Sequence, residues 1–127
     1  MKVNKYLIYV VDDDAAARSV TCLILKAQGM RARSFASVEE CLRAFSYNPA
    51  DCVIVDLRMP KAHDADLQEA LTARGIRIPV VMMAGDPASA QNGLVNAAGS
   101  SAVLHKPLDA RTVEAIIENA IARSCVP

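Results

Sequence analysis

Hydrophobic and polar residues follow two alternating patterns along this chain of 127 residues. Short apolar runs of strand length alternate with segments in which apolar residues recur at helical spacing. The runs predict five strands, at 6–11, 30–35, 52–55, 79–83 and 102–104. The strands are mostly apolar throughout, which is typical of strands buried on both faces.

Helix signals fill the segments between the strands. Residues 37–40 read Ser-Val-Glu-Glu, a capping box that predicts a helix reaching about residue 46, and Gly29 and Gly75 are predicted stops for two other helices. Further helices are predicted at about 65–73, from 86 to before Gly99, and from about 109. In the first helix the residues at helical spacing are Val20, Leu23, Ile24 and Ala27; in the last they are Val113, Ile116, Ile117, Ala120 and Ile121.

Strands and helices that alternate in this way predict an α/β fold with right-handed crossovers, in which helices cover both faces of a parallel sheet. The expected architecture is therefore a doubly wound sheet. No linker or low-complexity tract divides the sequence, so we expect residues 1–127 to form a single domain with no output domain attached.

Composition excludes several classes of function. Lys plus Arg and Asp plus Glu number 14 each, so no global field favours direct binding to nucleic acid or to a membrane surface. The cysteines form no CxxC pair and lie in apolar patterns, where they are expected to act as small hydrophobic residues; they are Cys22, Cys41, Cys52 and Cys125. No secretory signal or membrane span is visible, and the expected location is the cytoplasm.

Ligands bind to such sheets beyond the carboxyl ends of the strands, and most of the residues that follow the predicted strands there are charged. Asp12 and Asp13 follow the first strand, Asp56 the third, Ala84 the fourth and Lys106 the fifth. Two carboxylates about 4 Å apart repel by roughly 4 kcal/mol at an effective dielectric constant of about 20. Three of them therefore predict a bound cation, and Mg²⁺ suits a few carboxylates with open coordination positions.

The same edge predicts phosphoryl chemistry. A carboxylate nucleophile, Asp56, beside a magnesium ion and opposite the Lys106 ammonium contains the parts that phosphoryl transfer needs. Asp14 is expected to cap the helix that follows the first strand. His63 and His105 have no Cys or His partner at metal-binding spacing and are expected to be loop or surface histidines.

The motifs "VVDDD" (10–14), "VIVDLRMP" (53–60) and "HKP" (105–107), in this order, resemble the receiver domain of two-component response regulators. The resemblance covers essentially the whole chain. It implies the flavodoxin-like strand order 2-1-3-4-5 with five helices. It also implies a phosphoacceptor switch that is not a conventional enzyme, with a histidine kinase or histidine phosphotransfer protein as its phosphodonor.

Specific roles follow from the resemblance, position by position. Asp56 would be the phosphoacceptor, and Mg²⁺ would be held by Asp12, Asp13, Asp56 and the backbone carbonyl of Arg58. Lys106 would contact the phosphoryl oxygens, and Pro107 would follow a cis peptide bond. A downstream protein partner and a homodimer are also implied.

The chain departs from the family at positions that matter for switching. Ala84 stands where the family usually has Thr or Ser, and Val103 stands where it usually has Tyr or Phe. We therefore expect weakened phosphorylation and an output that does not use the usual hydroxyl–aromatic coupling. Asp64 replaces the usual Gly in the loop after Asp56, where we expect a local adjustment.

Arg58 and Asp86 are expected at the mouth of the site. They would either pair across it and shield the acyl phosphate from water, or form an exposed pair of little energetic weight.

The sequence is also compatible with two alternative functions. The absence of a hydroxyl at Ala84 and of an aromatic ring at Val103 would also suit a degenerate receiver that binds or dimerises without phosphorylation. The Asp-x-Asp pattern of Asp12 and Asp14 resembles the first motif of haloacid-dehalogenase-like phosphatases, which is the remote alternative.

Overall fold

A computed structural model describes residues 6–56, 64–84, 102–105 and 108–124. The strands form one parallel sheet in the order β2-β1-β3-β4-β5. The strands are β1 (Leu7–Val11), β2 (Arg31–Phe35), β3 (Cys52–Asp56), β4 (Val80–Ala84) and β5 (Ala102–His105). The described helices are α1 (Ala15–Ala27), α2 (Val38–Phe45), α3 (Asp64–Ala73) and α4 (Ala110–Ser124).

The predicted α/β fold with a parallel sheet is confirmed, and the observed strand order agrees with the one that the resemblance implied. The helix predicted between 86 and 99 lies outside the described residues. Within the described ranges, no helix is both long enough and apolar enough to cross a membrane.

The interior strands β1 and β3 are buried on both faces. Every residue of β1 and β3 is buried, and alternate side chains enter two separate cores. One core contains Tyr9 with side chains of α2 and α3, and the other contains Ile8 with side chains of α1 and α4. This double burial explains why the sequence of these strands is continuously apolar rather than alternating.

Tyr9 ties the first of these cores together. Its ring makes edge-to-face contacts with Phe35 and Phe45, at centroid distances of 4.9 and 5.0 Å. Its hydroxyl donates a hydrogen bond to the carbonyl of Asn48, beyond the end of α2. Strand β1 is thereby held to both β2 and α2.

The predicted helix ends are confirmed at several points. Asp14 caps α1, because its Oδ1 accepts from the Ala16 N–H at 3.0 Å. Ser37 caps α2 and accepts from the Glu40 N–H at 3.2 Å. Gly29 and Gly75 have φ values of 83° and 75°, a left-handed conformation that favours glycine after a helix.

The predicted apolar residues of α1 do not all face the core. Val20 and Leu23 are 54% and 68% exposed, whereas Thr21 and Leu25 are buried. The predicted helix is confirmed, but the apolar spacing does not define its buried face, because a threonine occupies an inward position. The Thr21 hydroxyl lies 3.9 Å from the Sδ of Met83 in β4, a soft partner that tolerates a buried hydroxyl.

Burial of the cysteines agrees with their predicted role as small hydrophobic residues. Cys41 and Cys52 are fully buried, Cys22 is half-buried, and all three are free thiols. Cys125 lies outside the described residues. Burial raises the pKa of the Cys41 thiol to about 12 and also raises the pKa of Cys52.

The raised pKa of Cys41 predicts a loss of stability at alkaline pH. Above the ordinary thiol pKa, 9.0, the unfolded chain ionises while the native thiol keeps its proton up to about pH 12. The free energy of unfolding of the wild type should therefore fall more steeply with pH than that of Cys41→Ala above pH 9, by up to about 1.4 kcal/mol per pH unit.

Urea unfolding followed by circular dichroism at a series of pH values checks this. Below the unfolded-state pKa the two proteins should differ by a constant amount, which reports only the lost packing. If the free energies of unfolding of the two proteins stay parallel well above that pKa, the prediction is wrong.

Candidate functional site

The sheet register brings two of the predicted acids together. Strands β1 and β3 are neighbours in which Val11 is opposite Val55, so Asp12 and Asp56 follow at adjacent strand ends. Asp13 is next in the chain. One carboxylate oxygen from each of Asp12, Asp13 and Asp56 lies within 4.8 Å of the other two.

These three side chains differ in their exposure to water. Asp12 and Asp56 are 0% exposed, whereas Asp13 is exposed. Two buried carboxylates at this separation repel strongly, and burial makes their charged forms costly. A cluster of three carboxylate oxygens, open to solvent on one side, fits a hard divalent cation that keeps part of its water shell.

Hydrogen bonds fix the acidic turn formed by residues 12–14. The Asp12 N–H donates to the carbonyl of Phe35 in β2 at 3.1 Å, which carries the β1–β2 pairing one residue past β1. Asp12 Oδ1 accepts from the Asp14 N–H at 3.0 Å. Asp14 turns away from the cluster to cap α1, so the three consecutive acids have separate structural positions.

Arg18, which was not predicted as a site residue, also contacts this turn. Its Nη1 donates to the main-chain carbonyl of Asp12 at 2.7 Å. Its own N–H donates to the carbonyl of Asp14 at 3.0 Å. A basic residue one helical turn after an acidic strand end was the signal that could have identified it.

The remaining predicted positions lie on or beyond β4 and β5. Asp56 is opposite Met83, and Ala84 follows as the last residue of β4, next to the acidic cluster in the sheet. Val103 lies in the edge strand β5, opposite Met82 of β4. Asp64 is the first residue of α3, and His105 is the last residue of β5.

Several predicted site residues lie outside the described residues. They are Arg58, His63, Asp86, Lys106 and Pro107. Lys106 follows His105 directly, and β5 ends beside β4 at the same edge of the sheet as the cluster.

Known proteins resemble this chain in sequence and in structure. Residues 8–118 match the family described as the response regulator receiver domain. Response regulator protein TmoT of Ectopseudomonas mendocina is 31% identical over 85 residues, which cover 67% of this chain and 39% of TmoT.

Solved structures give the same picture. Full-length FixJ from B. japonicum superposes with a TM-score of 0.83 at 28% identity, over 98% of this chain and 61% of FixJ. A response regulator receiver domain protein from Clostridium thermocellum superposes with a TM-score of 0.77 at 28% identity, over 93% of this chain and 95% of that one.

The family match extends over most of the sequence and includes both strands that carry the acidic cluster. The chain spans well under half of TmoT, so the match concerns the receiver portion of that relative. This chain belongs to the response regulator receiver domain family of two-component systems.

Proposed function

We propose that this receiver accepts a phosphoryl group on Asp56 from a histidine kinase or a histidine phosphotransfer protein. The observation that carries the proposal is the convergence of Asp12, Asp13 and Asp56 at adjacent strand ends. Asp56 is the member at the end of the central strand β3, where a buried backbone holds it in place.

In the proposed reaction, an oxygen of the Asp56 carboxylate attacks the phosphorus of a phosphohistidine. An O–P bond forms, the P–N bond breaks, and its electron pair stays on the imidazole nitrogen, which is a neutral leaving group once protonated. The product is an acyl phosphate on Asp56. Lys106, directly after β5, would pair with the phosphoryl oxygens.

Mg²⁺ is the cation that this site would hold. Asp12, Asp13 and Asp56 would be its carboxylate ligands, with the backbone carbonyl of Arg58 as a further ligand. When bound, Mg²⁺ supplies charge neutralisation for the phosphoryl group that approaches the acids. Asp12 and Asp13 would share this cation with the nucleophile Asp56, and this sharing would offset the repulsion among the three carboxylates.

Ala84 makes this receiver a weaker phosphoacceptor than one with a hydroxyl at that position. A hydrogen bond to a charged group contributes about 1.5–3 kcal/mol, so its absence slows transfer by roughly ten- to a hundredfold. Because Val103 also lacks an aromatic ring, the phosphorylated state would reach its partner by a route other than hydroxyl–aromatic coupling.

Output through protein contact is the proposed final step. Relatives of this chain include the transcriptional regulatory protein FixJ of Azorhizobium caulinodans, which is 27% identical over 117 residues, 56% of its own length. A downstream protein, or a second copy of this receiver, would recognise the phosphorylated state. The cytoplasm, where reduced thiols such as Cys41 and Cys52 persist, is the proposed location.

Incubation with Mg²⁺ and a small-molecule phosphodonor should add one phosphoryl group to the protein. Intact-mass spectrometry is the suitable measurement, since the chain has no tryptophan to report binding. Asp56→Asn should remove the added mass. Asp109→Asn, which neutralises an exposed acid at the start of α4 and keeps a good capping side chain, should not.

An unmodified wild type under these conditions would contradict the proposal. It would favour a degenerate receiver that binds its partner without phosphorylation.

Neutralising Asp13 should weaken Mg²⁺ binding. We expect Asp13→Asn to lower the affinity by more than about tenfold, since even partners one shell beyond the ligands typically contribute that much. Asp14→Asn removes the same charge from the neighbouring residue and retains the α1 cap, so it should bind nearly as the wild type does.

Calorimetric titration of Mg²⁺ into the unphosphorylated proteins measures the Mg²⁺ affinity of both variants. Equal losses in the two variants would show that only the net charge of the turn matters, and would refute the ligand role of Asp13.

Restoring a hydroxyl at the end of β4 should speed phosphorylation. Ala84→Thr is expected to raise the rate from a small phosphodonor by about tenfold, because the hydroxyl adds a hydrogen bond to a phosphoryl oxygen. Ala84→Val has nearly the same shape without the hydroxyl and serves as the matched control. Time courses of intact mass provide the rates. If the two variants react equally fast, the hydroxyl has no role at this position.

A further inference from the structure

We propose that Arg18 is a positioning residue that orients the acidic turn for capture of the cation. The inference deepens the proposed function and rests on it. Arg18 is half-buried on α1, and its Nη1 lies 2.7 Å from the main-chain oxygen of Asp12. This is the length of a strong, charge-assisted hydrogen bond.

The Arg18 side chain contacts the start of the turn, where its guanidinium donates to the carbonyl of Asp12. The end of the turn is held by the backbone of α1, whose first helical bond runs from the Arg18 N–H to the carbonyl of Asp14 at 3.0 Å. The Asp12 N–H is fixed separately by the carbonyl of Phe35. The backbone that carries the acids is thus anchored to β2 on one side and to α1 on the other.

The carbonyl that Arg18 holds belongs to the peptide group between Asp12 and Asp13. A peptide group is planar, so fixing its oxygen also fixes the direction in which the chain enters Asp13. Asp13 is the exposed member of the cluster, whereas burial already confines Asp12 and Asp56. The contact therefore acts on the acid whose carboxylate is least constrained by packing.

The geometry and the charge of Arg18 affect cation binding in opposite directions. A guanidinium beside the site repels Mg²⁺, so its charge alone would lower the affinity. Its hydrogen bond holds Asp13 in reach of the other two acids, which raises the affinity. We infer that positioning is the larger effect, as it is for the hydrogen-bond partners of many metal ligands.

The test compares Mg²⁺ affinity, by calorimetric titration of the unphosphorylated full chain, among three variants. Arg18→Met keeps most of the aliphatic stem and should bind Mg²⁺ about tenfold more weakly than the wild type. Arg18→Lys keeps a charged donor and should recover most of that loss. Lys26→Met, which removes an exposed charge from the last turn of the same helix, should bind Mg²⁺ as the wild type does.

Each result supports or overturns the inference. Tighter binding by Arg18→Met would show that charge dominates, and unchanged binding would show a purely structural contact; both overturn it. Thermal unfolding without Mg²⁺ identifies a variant that fails to fold. If Arg18→Met fails to fold, Arg18→Leu, which also lacks a donor, takes its place with the same expected loss and the same two contradicting outcomes. A wild type that binds no Mg²⁺ would instead refute the proposed function.

Discussion

The repulsion between carboxylates at the ends of β1 and β3 is the constraint on which the rest of this molecule depends. Parallel pairing of these strands places Asp12 beside Asp56, and both are removed from water. A fold that forces buried like charges together loses free energy unless something offsets it. Under the proposed function, binding of a divalent cation to the native state would provide such an offset and would couple the stability of the fold to occupancy of the site.

The apolar cores provide the rigidity that this arrangement requires. Each residue of β1 and β3 is buried, and their alternate side chains enter cores on opposite faces of the sheet. A shift of one residue in either strand would exchange the two sets of side chains, so the register is strongly fixed. The acids stand directly after these residues. Their separation is therefore set by packing on both faces of the sheet rather than by their own interactions.

Much of this could be predicted from the sequence because the signals are local. The strand predicted at 52–55 and observed as Cys52–Asp56, the cap at Asp14 and the stops at Gly29 and Gly75 each follow from neighbouring residues. The convergence of Asp12 with Asp56 needed one further step, the rule that parallel strands end at a common edge. The orientation of α1 was not predictable in this way, since Thr21 faces inward through a contact with Met83, a residue distant in the chain. Arg18 was missed for a related reason. Its position one helical turn after the acidic strand end was a weak signal, but its target is a main-chain carbonyl, which residue types alone do not identify.

Under the proposed function, the departures at Ala84 and Val103 would affect the response to phosphorylation rather than the acidic cluster. Both residues lie in strands that pair normally, with Ala84 opposite His105 and Val103 opposite Met82. The sheet therefore accommodates them without a change of register. Their small side chains remove a hydroxyl and an aromatic ring, which are the parts that would have different contacts in two states of the switch. A ligand shifts an equilibrium only by the difference in its interactions with the two states. Without these contacts, the difference would have to come from other groups around the proposed acyl phosphate, and the charge of the phosphoryl group is the one change that phosphorylation always brings.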